Sequence, residues 1–453
     1  MHRRIPGVGL VFSLWILVPY IHAEVKLPAV IDSHMVLQRD VPLTIWGWAD
    51  PGEAVTVKLG DAFAETQADD KGKWHVALPA QKGSAKPLQM IVAGKNKIEL
   101  DDILVGEVWL GSGQSNMEWR VRQSAGSKEA IASANHPRIR LFNVPRVQAK
   151  EPAKDVKAKW TVCSPSTVPD FSAVLYYFGL KLQKELDVPI GLINSSWGGS
   201  PIEPWTIKGT TSGGMYNGMI APLAPFALRG MLWYQGETNV LQKNGLAYTG
   251  KMRDLIEGWR KVWGTDFPFY FVQIAPWQGS YAAGELPALW EAQVATLKIP
   301  HTGMAVVTDL VDNIKDIHPQ NKLDVGNRLA LWALAKTYGK KDLVYSGPLY
   351  KSMKIEGNKI RLEFAHVGGG LMSRDGKPLS EFEVAGEDGK FVPAEAVIDG
   401  NTVLVSAKDV AKPSIVRFGW SNTANPNLMN KAGLPASPFQ TKNWTGGTGE
   451  SER

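Results

Sequence analysis

Ile103-Leu104-Val105-Gly106-Glu107-Val108-Trp109-Leu110-Gly111-Ser112-Gly113-Gln114-Ser115-Asn116-Met117 is an apolar, β-prone run that stops abruptly in a Gly-Ser-Gly turn. The turn delivers one serine, Ser115, into a polar setting. A strand that ends in glycines and presents a hydroxyl is a recurrent way to mount a nucleophile. The local pattern is Gly-Gln-Ser-Asn-Met, so the second glycine of Gly-x-Ser-x-Gly is absent. That departs from the nucleophile elbow of the α/β-hydrolases and points to a different serine hydrolase scaffold. Taken alone, the segment reads equally well as a tight turn with a capping serine, and the rest of the chain decides between the two.

Outward from this run, residues 103–342 alternate apolar strands with amphipathic stretches. Candidate strands are 103–110, 138–143, 189–194, 229–234, 268–274 and 304–309. The helical stretches are Phe171 to Leu186 behind Asp170 as N-cap, Leu246 to Val262, Leu286 to Leu297 and Lys322 to Tyr338. In the second, apolar side chains recur at Met252, Leu255, Ile256 and Trp259, the helical period. Such alternation predicts an α/β fold, a parallel sheet covered on both faces, with chemistry at the carboxyl ends of its strands. Residues 24–102 read instead as a small antiparallel sandwich. Runs such as Leu43–Trp48 and Ala54–Leu59 are separated there by turn signals such as Asp50-Pro51-Gly52. Residues 343–444 return to short alternating runs and form a second β module, and 445–453 is a polar tail that reads as disordered.

The N-terminus reads as a leader. His2, Arg3 and Arg4 precede an apolar run from Val8 to Ile21 that ends near Ala23, the layout of a signal peptide over residues 1–23. The run is shorter than the roughly 20 residues that a spanning helix needs. The expected protein is therefore secreted or periplasmic, with no stable membrane insertion after cleavage. The single cysteine, Cys163, rules out an intrachain disulfide and reads as a packing residue. Lys and Arg are scattered among acids with no basic stripe, which argues against a nucleic-acid partner. Seventeen tryptophans suit stacking on sugar rings, although most belong to the core.

A serine nucleophile needs a base, an acid to orient it and donors for an oxyanion. Among the histidines, His318 stands out: Lys315-Asp316-Ile317-His318-Pro319-Gln320-Asn321-Lys322 follows a strand and leads into the last helix. Asp316 is two residues away, close enough to fix the imidazole tautomer, although Asn321 also suits a helix cap. Another strand ends in Trp233-Tyr234-Gln235-Gly236-Glu237-Thr238-Asn239, where a side-chain amide has the chemistry to donate to an oxyanion. One such donor contributes roughly 3 kcal/mol of transition-state stabilisation. A fourth strand end, Asn194-Ser195-Ser196-Trp197-Gly198-Gly199-Ser200-Pro201-Ile202-Glu203-Pro204-Trp205, offers backbone N–H groups and two tryptophans suited to walling a sugar pocket. Four polar, glycine-containing strand ends with complementary roles favour the nucleophile reading of Ser115.

Gly-Gln-Ser-Asn-Met-Glu-Trp, Asn-Ser-Ser-Trp-Gly-Gly-Ser-Pro-Ile-Glu-Pro-Trp, Trp-Tyr-Gln-Gly-Glu-Thr-Asn and Asp-Ile-His-Pro-Gln-Asn-Lys together resemble the bacterial sialate O-acetylesterase family, of the SGNH/GDSL type. The resemblance spans nearly the whole mature chain. It implies an SGNH-hydrolase three-layer αβα domain flanked by N- and C-terminal antiparallel β modules. It also implies a serine esterase that removes O-acetyl groups from carbohydrates without metal or cofactor. Relatives with these motifs include esterases acting on xylan, so an acetylxylan or hemicellulose substrate is the alternative, and a non-catalytic glycan-binding protein is another. Ser115 is implied as nucleophile, His318 as base and Asp316 as orienting acid. The superfamily places that acid three residues before the His, where this chain has Lys315, which leaves Asp312 and Glu237 as alternatives. The implied oxyanion hole combines the Ser115 N–H, an N–H of Gly198 or Gly199 and the Gln235 amide; Asn116, Trp197 and Glu237 complete the expected substrate pocket.

Overall fold

The computed structural model describes residues 24–441; the expected leader, 1–23, and tail, 445–453, lie outside the described residues. Seven strands build the sheet that carries the site. They are β1 (Lys97–Gly113), β2 (His136–Asn143), β3 (Trp160–Cys163), β4 (Ile190–Ser196), β5 (Gly230–Tyr234), β6 (Phe269–Gln273) and β7 (Thr302–Val306). Their order is β7-β6-β5-β1-β4-β2-β3. All neighbours are parallel except β3, which runs antiparallel to β2. The chain thus starts in the middle, builds one side as far as β4, then crosses β1 to build the other. This reversal makes the carboxyl end of β1 the topological switch point, where crevices open in such sheets.

Strands β4, β5 and β6 are buried at every position, as is β1 from Ile103 onward, which explains their continuous apolar runs. The main helices are α1 (Ser115–Glu118), α2 (Ala173–Leu186), α3 (Glu237–Leu241), α4 (Tyr248–Trp263), α5 (Glu285–Thr296) and α6 (Lys322–Trp332). Helix α2 packs against α6, and α4 against α5. Crossovers of the usual right hand, running in opposite directions from β1, put α2 on one face and α4 and α5 on the other, and α6 joins α2, giving the expected three layers. In α4, Met252, Leu255, Ile256 and Trp259 are fully buried, as their spacing predicts. The cap of α2 is Ser172, whose Oγ accepts from Leu175 N at 3.3 Å, rather than Asp170. Asp170 instead pairs with Arg120 and Arg122. Helix α6 is capped by Asn321, and its expected last turn, Ala333–Thr337, is a π-turn.

Strand β1 also belongs to the N-terminal module. Its first part pairs antiparallel with Ser84–Ala93, and Leu104 to Gly106 pair parallel with Val36–Gln38. Residue 103, the expected start of the second unit, therefore lies inside one continuous strand. One apolar cluster holds Val25 to Leu349 together with Ala424, and a second is formed by residues between Tyr350 and Phe439. Where the first two units meet, the fully buried Glu107 takes Arg39 at 2.5 Å, Arg229 at 2.7 Å and Gln38 at 3.1 Å. Cys163 is buried, and burial pushes its thiol up to about 12.

Candidate active site

Register brings three of the four polar strand ends together. Gly113 of β1 lies beside Ser196 of β4 on one side and Tyr234 of β5 on the other. Ser115, the Trp197–Gly199 turn and the Gln235–Asn239 segment therefore leave the sheet at one rim. The turn after β1 requires glycine: Gly113 has φ +137°, and a Cβ there would sit 2.2 Å from the Tyr234 carbonyl oxygen. Beyond it, Ser115 opens the short helix α1, so its N–H is one of the helix donors without an intrahelical acceptor. The fourth end arrives from the sheet edge. Strand β7 lies three strands from β1, about 14 Å at the usual interstrand spacing. The long segment between β7 and α6 crosses that distance and carries His318 back to the serine.

His318 Nε2 lies 2.9 Å from Ser115 Oγ, the contact a general base makes with its nucleophile. Of the three acids considered, Asp316 is the one beside the imidazole: its Oδ1 is 3.5 Å from Nδ1 and accepts the His318 backbone N–H at 2.9 Å. Asp312 is exposed and accepts from Gln320 N at 3.5 Å. Glu237 is buried against other partners. Trp119 stacks on the imidazole with ring centroids 4.7 Å apart and planes 20° from parallel. Burial lowers the His318 pKa below its ordinary value; Asp316 opposes that shift and Lys322 adds to it. The imidazole is therefore neutral, and able to accept a proton, at neutral pH.

Beneath these groups lies a layer that sequence reasoning had placed in the substrate pocket. Asn116 is fully buried. Its Oδ1 accepts from Lys322 Nζ at 2.5 Å, and its Nδ2 donates to Glu237 Oε1 at 2.5 Å and to the Ile317 carbonyl at 3.0 Å. Asn116 and Glu237 thus brace the serine helix against the histidine segment. Lys322 is wholly buried over the rings of Trp119 and Tyr234, and burial pushes its ammonium down to about 7. The same burial raises the Glu237 carboxyl.

Gln235 also departs from expectation. It has no exposed surface; its Nε2 faces Gln114 Oε1 (3.1 Å), Asn239 Oδ1 (2.8 Å) and the Ser200 carbonyl (3.2 Å), while its Oε1 accepts from Tyr248 OH at 2.6 Å. An amide whose donors are committed inside the protein ties three strand ends together and has none left for an oxyanion. Trp205 is likewise core, fully buried with Nε1 on Ser200 Oγ at 3.0 Å. Trp197 is half-buried against the core.

The expected glycine donors stand next to the serine. A Cβ on Gly198 would lie 3.3 Å from Ser115 Cβ, so the backbone approaches closely. The Gly198 N–H donates to Glu118 Oε2 at 2.8 Å, while Glu118 Oε1 is held by Arg146. Gly199 is exposed with φ +76°. Trp119, Lys322, Glu118 and Arg146 were missed by sequence reasoning. The first three lie inside or beside the motifs already singled out, and that proximity was the only signal they gave.

The family model for carbohydrate esterases described as sialic acid-specific acetylesterases matches residues 105–335, from β1 through α6. Sialate O-acetylesterase of Mus musculus is 31% identical over 73% of this chain and 76% of its own length. That of Homo sapiens is 29% identical over 91% of this chain and 92% of its own length. A solved structure of a carbohydrate acetylesterase from Xanthomonas citri is 39% identical with a TM-score of 0.88, covering 93% of this chain and 100% of that one. Four motifs, one switch-point site and these matches lead to one conclusion: the chain belongs to the carbohydrate esterase family of sialate O-acetylesterases.

Proposed function

We propose that this carboxylic ester hydrolase removes O-acetyl groups from carbohydrates with Ser115 as nucleophile, His318 as general base and Asp316 as the acid that orients His318. The observation that carries the assignment is the 2.9 Å contact between His318 Nε2 and Ser115 Oγ at the switch point of the sheet. Oγ attacks the acetyl carbonyl carbon as its proton passes to Nε2. The tetrahedral oxyanion collapses, the bond to the sugar oxygen breaks, and His318 returns the proton to that oxygen. Water, deprotonated by His318, then attacks the acetyl-serine and releases acetate, restoring the hydroxyl. In this reading the Ser115 N–H stabilises the oxyanion. Gly198 joins it when its N–H exchanges the Glu118 carboxylate for the substrate oxygen, and Gly199 is the neighbouring donor.

The names of the curated relatives favour a sialic acid as the acetylated sugar, with acetylated hemicellulose as the alternative. The higher identity to the Xanthomonas citri enzyme supports a place among bacterial members. The basic and apolar start of the chain supports export to the periplasm or beyond, and the amino-terminal residue of the processed protein checks it. The Ser–His contact favours catalysis over simple glycan binding. The deciding experiment measures acetate release from O-acetylated sialoglycans, xylan and 4-nitrophenyl acetate by wild type and Ser115→Ala. The substitution is expected to lower turnover by at least 10³-fold, the order of a lost nucleophile. Undiminished turnover in the variant sinks the proposal.

A further inference from the structure

The N-terminal module presents a second surface with the chemistry of a sugar site. Strands Leu43–Trp48 and Lys73–Leu78 form a two-stranded antiparallel ribbon in which Trp46 stands opposite His75 and Trp48 opposite Lys73. Burial alternates along both strands: Leu43, Ile45 and Gly47 face inward with Trp74, Val76 and Leu78. Trp46, Trp48, Lys73 and His75 therefore share the outer face. Two half-exposed indoles two residues apart on one strand are spaced about 7 Å along it. On a face whose alternation calls for polar side chains, they are the anomaly.

This face is roofed. Together with Asp69, Lys154 and Pro225 it lines a cavity of about 570 Å³ at the joint between the N-terminal module and the catalytic unit. That volume falls in the range of small-ligand sites. The lining pairs flat apolar rings, which stack on the C–H faces of sugars, with Lys73, Lys154, His75 and Asp69, which hydrogen-bond hydroxyls or a sugar carboxylate. Trp46 packs against the main apolar core and against Phe226, with ring centroids 6.4 Å apart.

The cavity is joined to the catalytic serine by one short segment. Arg146 holds Glu118, which holds Gly198 beside Ser115. Pro152 and Lys154, a few residues on, line the cavity. Fully extended chain between residues 146 and 152 spans at most about 20 Å, and the Arg146 and Glu118 side chains add to that path, so a chain of several sugar units is what bridges the two sites. The segment is pinned along its length: Asn217 Nδ2 donates to the carbonyls of Ala149 (3.2 Å) and Lys150 (2.9 Å), and Ala153 N donates to the Asn217 carbonyl at 2.9 Å.

We infer that the Trp46–Trp48 face is a second carbohydrate-binding site, which holds a neighbouring part of the glycan whose acetylated sugar is presented to Ser115. The inference rests on the carbohydrate esterase reading above. Its test compares wild type, Trp48→Ala and the double variant Trp48→Ala/Lys73→Ala on an acetylated polysaccharide and on 4-nitrophenyl acetate. The expected result is a KM at least tenfold higher on the polymer, with kcat and small-ester turnover unchanged. Ser115→Ala protein titrated with sialyl- and xylo-oligosaccharides is expected to bind one of them, and to bind it at least tenfold more weakly when Trp48→Ala is added. Trp48→Phe, which keeps an aromatic face, is expected to retain most of the binding and checks that the ribbon still folds. Unchanged polymer KM, or oligosaccharide binding indifferent to Trp48, overturns the inference. If wild type releases no acetate from any glycan, the esterase reading fails instead, an outcome the oligosaccharide titration does not share.

Discussion

His318 serves as a base only while its imidazole is neutral, and the groups around it set the pH at which that holds. Burial and the Lys322 ammonium lower its pKa, while Asp316 raises it. For a general base, kcat/KM falls as pH drops through the base's pKa, so each neighbour moves the acid limb in a direction fixed by its sign. Asp316→Asn removes the raising charge, and the acid limb is expected to move to lower pH while kcat falls. In a tight triad the same change costs about 10⁴-fold. The 3.5 Å separation and partial exposure of Asp316 predict a smaller loss here. Lys322→Met removes a lowering charge, and the limb is expected to move to higher pH. A profile of kcat/KM against pH for the two variants checks both signs; shifts in the same direction would refute the assignment. Ser115 and His318 were legible in the sequence because each follows a strand and has the right chemistry. The buried lysine was not. A Lys at the start of an amphipathic helix reads as solvated, and only the packing of Trp119 and Tyr234 over it removes the water. Gln235 was misplaced for the same reason, since a polar residue after a strand does not disclose whether its amide faces a pocket or the core.

Strand β1 connects the scale of residues to that of elements, because it ends at the serine and begins in another module. Its apolar run was easy to read, and so were its parallel neighbours, since strands buried on both faces carry uninterrupted hydrophobic sequence. Strand β3 went unread: four residues antiparallel at a sheet edge leave too short a pattern. The continuity of β1 through residue 103 was also hidden, because an acidic pair, Asp101-Asp102, resembles a boundary. Glu107 shows what this continuity demands. Its carboxylate is wholly buried in the strand, yet it is matched by two arginines from outside it, Arg39 and Arg229. Removing one partner of a buried ion pair typically costs 3–5 kcal/mol, because the remaining charge is left uncompensated. The arginines keep about a quarter of their side chains exposed, so Glu107→Gln is expected near the lower end, about 3 kcal/mol. Urea unfolding with an unchanged slope and a lowered midpoint would show it; a midpoint within error of wild type would mean that solvent already screens the pair.

Across the whole molecule, the C-terminal β module reaches the site without contributing a residue to the chemistry. Asn422 is the link: its carbonyl accepts Trp277 N at 2.8 Å, and its Nδ2 donates to the carbonyls of Tyr281 and Ala282 at 3.1 and 3.3 Å. From that loop, Trp277 Nε1 donates to the Lys315 carbonyl at 3.1 Å, and Gln278 N to the Ile314 carbonyl at 2.7 Å. Lys315 precedes Asp316, so the module braces the segment that carries His318 across the rim. No sequence pattern announces such a brace, because its two ends lie more than 100 residues apart in the chain and each is an ordinary loop. A base misplaced by about 1 Å loses roughly 10²-fold in rate, so the brace is expected to act on kcat. Asn422→Ala deletes the side-chain bonds and keeps the backbone one. The loss in stability is expected to be about 1–2 kcal/mol. The variant should remain folded near room temperature, with kcat several-fold lower and KM for 4-nitrophenyl acetate little changed. Trp277→Phe, which keeps the ring but not the Nε1 donor, should lower kcat in the same way with a smaller stability change. If either variant loses stability without losing kcat, the C-terminal module supports the fold alone, and the position of His318 is set by Lys322, Asn116 and Trp119.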